Sequence, residues 1–211
     1  MAREVGISKL KLYPILKDEV GEDIEFGPGF LLPWAVNFET ETVYAEGEYY
    51  ADNMIERAAK KVASMSVSIE VSSDTPPALD AKITGKNYEG GKISTSADVT
   101  PREHAIAYEI LMDDGNIRRR VIYKVALSRT GQTNATQEDA IEGQTYTYEG
   151  IATPLLGEKG NGAFDMMMDK REVDNYQQPV GGGLAPDIVQ NHFEQFFGDA
   201  PVLPGDDALL P

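Results

Sequence analysis

The sequence predicts a mainly β protein: an antiparallel β-sandwich or barrel with one short flanking α-helix, extended loop or arm segments and a C-terminal tail. Three observations carry that expectation. Apolar residues alternate with polar ones at period two far more often than at period 3.6, the pattern of strands with one buried and one wet face. Asp, Asn and Gly cluster between the alternating runs, as hairpin turns require. Only one short body stretch has both a helix start and a helix stop.

Taken in order, strands are expected at 10–16 and 34–44. A stretch with helix-forming composition, ADNMIERAAKKV at 51–62, abuts the next strand and reads as a loop with some helix. The clearest strand follows, where Met65, Val67, Ile69 and Val71 alternate with Ser64, Ser66, Ser68 and Glu70. The one body helix is expected at 74–83. Asp74 or Thr75 can cap its free amides, Pro76 and Pro77 fit its first turn, Leu79 and Ile83 share a face, and Gly85 can supply a left-handed stop. A strand is expected at 88–96. Next come paired strands at 105–112 and 117–127, joined through Asp113, Asp114, Gly115 and Asn116. Alternation groups Ile106, Tyr108, Ile110 and Met112 on one face, and Ile117, Val121, Tyr123, Val125 and Leu127 on another. A last strand is expected at 144–153.

The chain divides at about residue 171. The body is 1–171, and 172–211 reads as an acidic arm rich in Pro and Gly, without Lys or Arg. Seven acids, Glu172, Asp174, Asp187, Glu194, Asp199, Asp206 and Asp207, lie in it. Within the arm, 187–197 (DIVQNHFEQFF) places Ile188, Phe193, Phe196 and Phe197 roughly in line at helical spacing, behind Gly181, Gly182 and Gly183. A short amphipathic helix on a Gly tether suggests a docking element. The closing run GDAPVLPGDDALLP is expected to be disordered alone.

Composition narrows function. Among 211 residues, 19 Lys and Arg face 35 Asp and Glu, a formal charge of −16. Such a surface repels phosphate backbones and anionic lipids, which disfavours a nucleic-acid grip. With no cysteine and only His104 and His192, thiolate, disulfide and most imidazole or zinc chemistry is out of reach, so neither an enzyme nor a cofactor is expected. No run is long and apolar enough to span a bilayer, and charged residues interrupt MAREVGISKLKLYPIL where a secretory signal would need an apolar core.

Four constellations have plainer readings than the chemistry they suggest. The glycines and lysines from Gly85 to Ile93 (GKNYEGGKI) mimic a phosphate loop, but no Ser or Thr follows Lys86 or Lys92 directly and a strand follows instead of a helix. The carboxylates of Asp113 and Asp114 lack the twelve-residue frame of a calcium loop, so a turn is expected. His104, beside Glu103 at a strand start, reads as a surface residue. Arg118 and Arg120 alternate away from Arg119, so pairing with neighbouring carboxylates is expected instead of one basic patch.

The stretch GEYYADNMIERAAKKVASMSVSIEV, then SSDTPPALDAKITGKNYEGGKIS, resembles a segment of siphophage major tail proteins, in which a Tyr-Ala-Asp loop leads into a long alternating strand, a short helix ended by glycine and a Gly-containing hairpin. The similarity continues through EHAIAYEILMDDGNIRRRVIYKVALS and TGQTNATQEDAIEGQTYTYEGIATPLL, covering about 5–156. GEDIEFGPGFLLPWAVNF and the chain after Leu156 lie outside it.

The resemblance implies a structural virion protein: a β-sandwich tail tube subunit, similar to tubes of contractile tails and type VI secretion systems, stacking in hexameric rings. Implied partners are further copies of the chain, the tape measure protein, the tail terminator and the baseplate or distal tail proteins, with DNA as transient cargo. Implied localisation is the phage tail, assembled in the host cytoplasm. Closed rings use heterologous interfaces, which favour arms. The loop at 45–61 and the tail are the candidate arms, with Tyr49, Tyr50, Asp52, Met54, Ile55, Phe193, Phe196 and Phe197 as candidate interface residues. Ordinary core or loop packing is the alternative for Tyr49, Tyr50, Met54 and Ile55. Under this reading a carboxylate-lined wall lets DNA slide without adhesion. The rival classes are a monomeric carbohydrate-binding or adhesin-like β-sandwich module and, behind it, an acid-dependent hydrolase with paired carboxylates.

Overall fold

The computed structural model describes residues 2–51, 54–130, 144–178 and 183–206, apart from the side chains of 47–51 and 54–59. It is mainly β, as the alternation predicts. The main-sheet strands are β1 (Glu4–Lys17), β2 (Glu25–Phe26), β3 (Phe30–Leu31), β4 (Ala35–Ala51), β5 (Met54–Ser72), β8 (Glu103–Met112), β9 (Ile117–Thr130), β10 (Thr145–Ala152) and β11 (Asp165–Asp169). They form one antiparallel sheet in the order β2-β1-β8-β9-β10-β5-β4, with β3 also on β1 and β11 also on β9. A two-stranded hairpin of β6 (Asn87–Glu89) and β7 (Lys92–Ser94) stands apart and replaces the single strand expected at 88–96.

One sheet makes a sandwich because β9 changes face partway along. Between His104 and Ile106 β8 advances two residues, while its partner β9 advances three, from Val125 to Ile122. The extra residue is a bulge, and Lys124 within it has φ +48°. Val121 and Tyr123 therefore point to one side of the sheet, and Val125 and Leu127 to the other. This corrects the face expected from uninterrupted alternation. Beyond the bulge, β9, β10, β5 and β4 fold back over β1 and β8. Phe38 of β4 meets Tyr108 of β8 with ring centroids 4.3 Å apart. Leu12, Ile69, Val71, Ile106, Ile122 and Tyr148 are fully buried between the two layers.

The flanking helix α1 (Pro77–Thr84) ends at Gly85, with φ +75°, as its sequence predicts. Its start differs from expectation: no side chain caps it, because the Thr75 hydroxyl donates to the Ser72 carbonyl at 2.9 Å instead. Ile83 is fully buried, and Asp80 accepts from the Tyr148 hydroxyl at 2.8 Å, which ties the helix to β10.

A second core lies on the opposite face of β1, β8 and β9, and it corrects the expectation of a free C-terminal arm. Short helix α2 (Lys170–Asp174) leads toward α3 (Pro186–Glu194) and a tight turn at Gln195–Phe197. Phe193, Phe196, Val202 and Leu203 are buried on this chain's own sheet, in a cluster with Tyr13, Ala105, Ala107, Val121 and Tyr123. Donors from the sheet meet carbonyls of the segment: Tyr13 hydroxyl to Gly198 at 3.1 Å, Lys11 Nζ to Gly198 at 2.7 Å, and the Tyr123 hydroxyl to Val202. The run after Gly198, expected to be disordered, is ordered as far as it is described.

Candidate interaction face

Two-residue periodicity and the β4–β5–β10–β9 register define one outward face. Neighbouring positions across it are Asn37, Glu70, Thr147 and Thr130; then Glu39, Ser68, Glu149 and Ser128; then Glu41, Ser66, Ile151 and Ala126. These twelve positions include four carboxylates and no Lys or Arg. Between them lies a shallow concavity of about 1010 Å³. Three hydroxyls meet carbonyls of the adjacent strand: Ser128 Oγ donates to the Glu149 carbonyl at 3.2 Å, Ser66 Oγ to the Glu41 carbonyl at 3.4 Å and Thr130 Oγ1 to the Thr147 carbonyl at 3.5 Å. Glu70 accepts from the Thr145 hydroxyl at 2.6 Å, and Glu39 from the Asn37 amide at 2.8 Å. Among the described residues, Glu39, Glu41, Glu70 and Glu149 make no ion pair.

The cations are held elsewhere. Arg118 pairs with Asp169 at 2.7 Å, Arg120 with Asp165 at 2.7 Å, and Arg119 with Glu109 at 3.2 Å, so the three arginines alternate and pair as the sequence predicts. Arg119 also lies over the Phe193 ring, 4.2 Å from its centroid, and donates to the Phe193 carbonyl. Asp114 is bound to Arg171, and the Asp113 carboxylate accepts the Arg3 N–H at 2.9 Å, so the acidic turn ties down the N-terminal strand. This face presents four carboxylates with no ion pair among the described residues, which favours cationic or neutral neighbours and repels anions.

The expected interface residues fall into two groups. Tyr49, Tyr50, Met54 and Ile55 lie at the far end of the β4–β5 hairpin, where Tyr50 pairs with Ile55 and Ala51 with Met54; Asp52 lies outside the described residues. Residues 45–51 and 54–61 thus form a paired strand ladder, which corrects the loop expected at 45–61 and the loop with some helix expected at 51–62. The helix-forming composition is overridden because each residue extends an existing ladder, and Lys60 reinforces it, 2.7 Å from Glu46 and over the Tyr44 ring. Phe193, Phe196 and Phe197 form the other group: the first two are buried in this chain's own second core and Phe197 packs against it, which corrects their assignment to a free docking surface.

His104 corrects the expectation of a surface histidine: it is fully buried beside Phe30. Sequence reasoning also passed over Trp34, a half-exposed residue with φ +62°. Among the described residues no helix is long and apolar enough to cross a membrane. Comparison with protein-family models and with curated proteins finds no match.

Proposed function

We propose that the chain is a tail tube subunit of a bacteriophage, assembling as stacked hexameric rings into a conduit around a tape measure protein. The observation that carries this reading is the four-stranded face with Glu39, Glu41, Glu70 and Glu149 and no cation across its register. The Ser66, Ser128 and Thr130 hydroxyls, bonded to carbonyls of the neighbouring strands, keep that face smooth, and carboxylates without ion pairs among the described residues repel phosphates, the two properties a DNA channel wall needs. The long β4–β5 hairpin supports the reading as well, since an extended ribbon is suited to reaching a neighbouring subunit.

The monomeric carbohydrate-binding reading calls for an aromatic platform around the tyrosines, and the concavity of the acidic face is no such platform. Its lining is aliphatic, hydroxylic and acidic instead. Negative-stain microscopy of the purified chain over a concentration series, with immunogold labelling of virions, tests the proposal. Rings or tubes, or label along the tail, support it. A monomer at every concentration together with unlabelled tails overturns it.

A further inference from the structure

Strand β11 reads Asp-Met-Met-Met-Asp over 165–169, and alternation turns its three thioethers two ways. Met166 and Met168 are partly buried and pack against the second core. Met167 points to the other side and is 53% exposed. Met65 and Met112 are buried, so Met167 is the most exposed methionine among the described residues. Its sulfur is the thioether that a small oxidant in water meets first.

The surroundings of that sulfur are particular. Met167 lies opposite Arg120 of β9, and Asp169 lies opposite Arg118. Asp165, Met167 and Asp169 share one side of the strand, and the two aspartates pair with Arg120 and Arg118, each at 2.7 Å. Met167 thus stands between two ion pairs that tie β11 to β9. Arg120 is already occupied: Nε and Nη2 bind Asp165, and Nη1 reaches the Thr40 and Tyr108 hydroxyls. Arg118 gives Nε to Asp169 and Nη1 to Glu4, and its Nη2 has no partner among the described residues. That group lies one diagonal step across the ladder from Met167, a gap that long side chains close.

We propose that Met167 is a sulfoxidation site that takes a hydroperoxide as substrate and that Arg118 receives the oxygen. The sulfur supplies an electron pair to the outer oxygen of the peroxide, the O–O bond breaks, and the remainder leaves as water from hydrogen peroxide or as the alcohol from an organic hydroperoxide. The thioether is oxidised and the peroxide reduced, and a sulfoxide reductase can reverse the change. The sulfoxide oxygen then accepts a hydrogen bond from Arg118 Nη2. Oxidation of a core methionine disrupts packing, but here Met166 and Met168 keep the strand seated while the oxygen arrives on the solvent side. The site belongs to the single chain and does not depend on tube assembly.

The purified full chain, titrated with hydrogen peroxide and read by peptide fragmentation mass spectrometry, is expected to take up oxygen at Met167 roughly tenfold faster than at Met65, Met112, Met166 or Met168. Oxidation to one oxygen at Met167 is expected to leave the melting temperature of the parent unchanged and to lower that of Arg118→Leu below its own unoxidised value. Should Arg118→Leu fail to fold, the Arg118 side-chain N–H resonances of the parent report the same contact and are expected to shift on oxidation. Uptake at Met167 no faster than at the other four positions overturns the site. An equal response of the parent and Arg118→Leu to oxidation, or unshifted Arg118 resonances, overturns the receptor.

Discussion

The His104 ring is wholly buried, with Nδ1 2.9 Å from the Arg102 carbonyl, Nε2 without a partner among the described residues, and the Phe30 ring edge-on at 6.0 Å. Burial holds its pKa down to about 4, and the Arg102 carbonyl only partly offsets that. The unfolded chain therefore binds a proton at higher pH than the folded one, so stability is full above about pH 6.5 and is lost as pH falls toward 4. The expected loss is on the order of 3 kcal/mol. Urea denaturation at neutral pH and near pH 4.5 should show a smaller acid loss in His104→Phe than in the parent; equal losses would assign the acid limb to other groups. A second prediction concerns Asp18. Burial pushes its carboxyl up, but Lys124 Nζ at 2.6 Å and the N–H groups of Leu156 and Gly157 at 2.9 and 2.8 Å outweigh this and hold it below the usual carboxylate range. Both side chains are nearly inaccessible, so Asp18→Ala strands a buried ammonium and two amides. A cost of about 3–5 kcal/mol is expected in chemical denaturation.

At the scale of elements, the C-terminal segment behaves as core. Phe196→Ala should lower stability by about 3–5 kcal/mol, read by thermal or urea unfolding. A chain ending at Gln178 should expose Tyr13, Val121 and Tyr123 and bind a hydrophobic dye in the native state; a truncated body as stable and as dye-free as the parent would refute this. Local patterning made several elements legible: the inward set Met65, Val67, Ile69 and Val71 is buried as read, the Asp-Asp-Gly-Asn turn joins β8 to β9, and Gly85 ends α1. Non-local contacts hid the rest. Lys124 at a bulge has no residue signature, since a left-handed lysine there is held by Asp18, distant in sequence. The second core did leave a trace: Ala105, Ala107, Val121 and Tyr123 make β8 and β9 apolar on both faces, the mark of a strand covered on both sides. The helical spacing of the phenylalanines marked an apolar stripe in the tail, but spacing alone does not say whose surface the stripe covers.

For the whole molecule, the charge of −16 separates into parts that act differently. Glu109, Asp18 and Asp80 are nearly buried and paired with cations, so they belong to stability. Glu39, Glu41, Glu70 and Glu149 have no such partners and belong to the surface. Strand parity in the sequence pairs Ser68 and Glu70 on one face, but only the register across four strands brings the four acids together. Under the tube proposal, Glu39→Lys, Glu41→Lys and Glu149→Lys combined should leave folding and tube assembly unchanged and slow DNA ejection from particles, measured by dye uptake of released genome. Normal ejection kinetics would remove the conduit role from this face.

The bulged strand β9 has a mechanical consequence. It pairs with β8 before and across the bulge and with β10 beyond it, so the two layers are a single hydrogen-bonded fabric and not two sheets held by side chains alone. A load drawing the layers apart along the strands bears on both β9 ladders in shear, with many bonds strained together. A load across the strands reaches those bonds one after another, as in a zip. The molecule should therefore resist stretching along β9 far better than peeling at the β4 edge, an anisotropy that force spectroscopy with differently placed handles can measure.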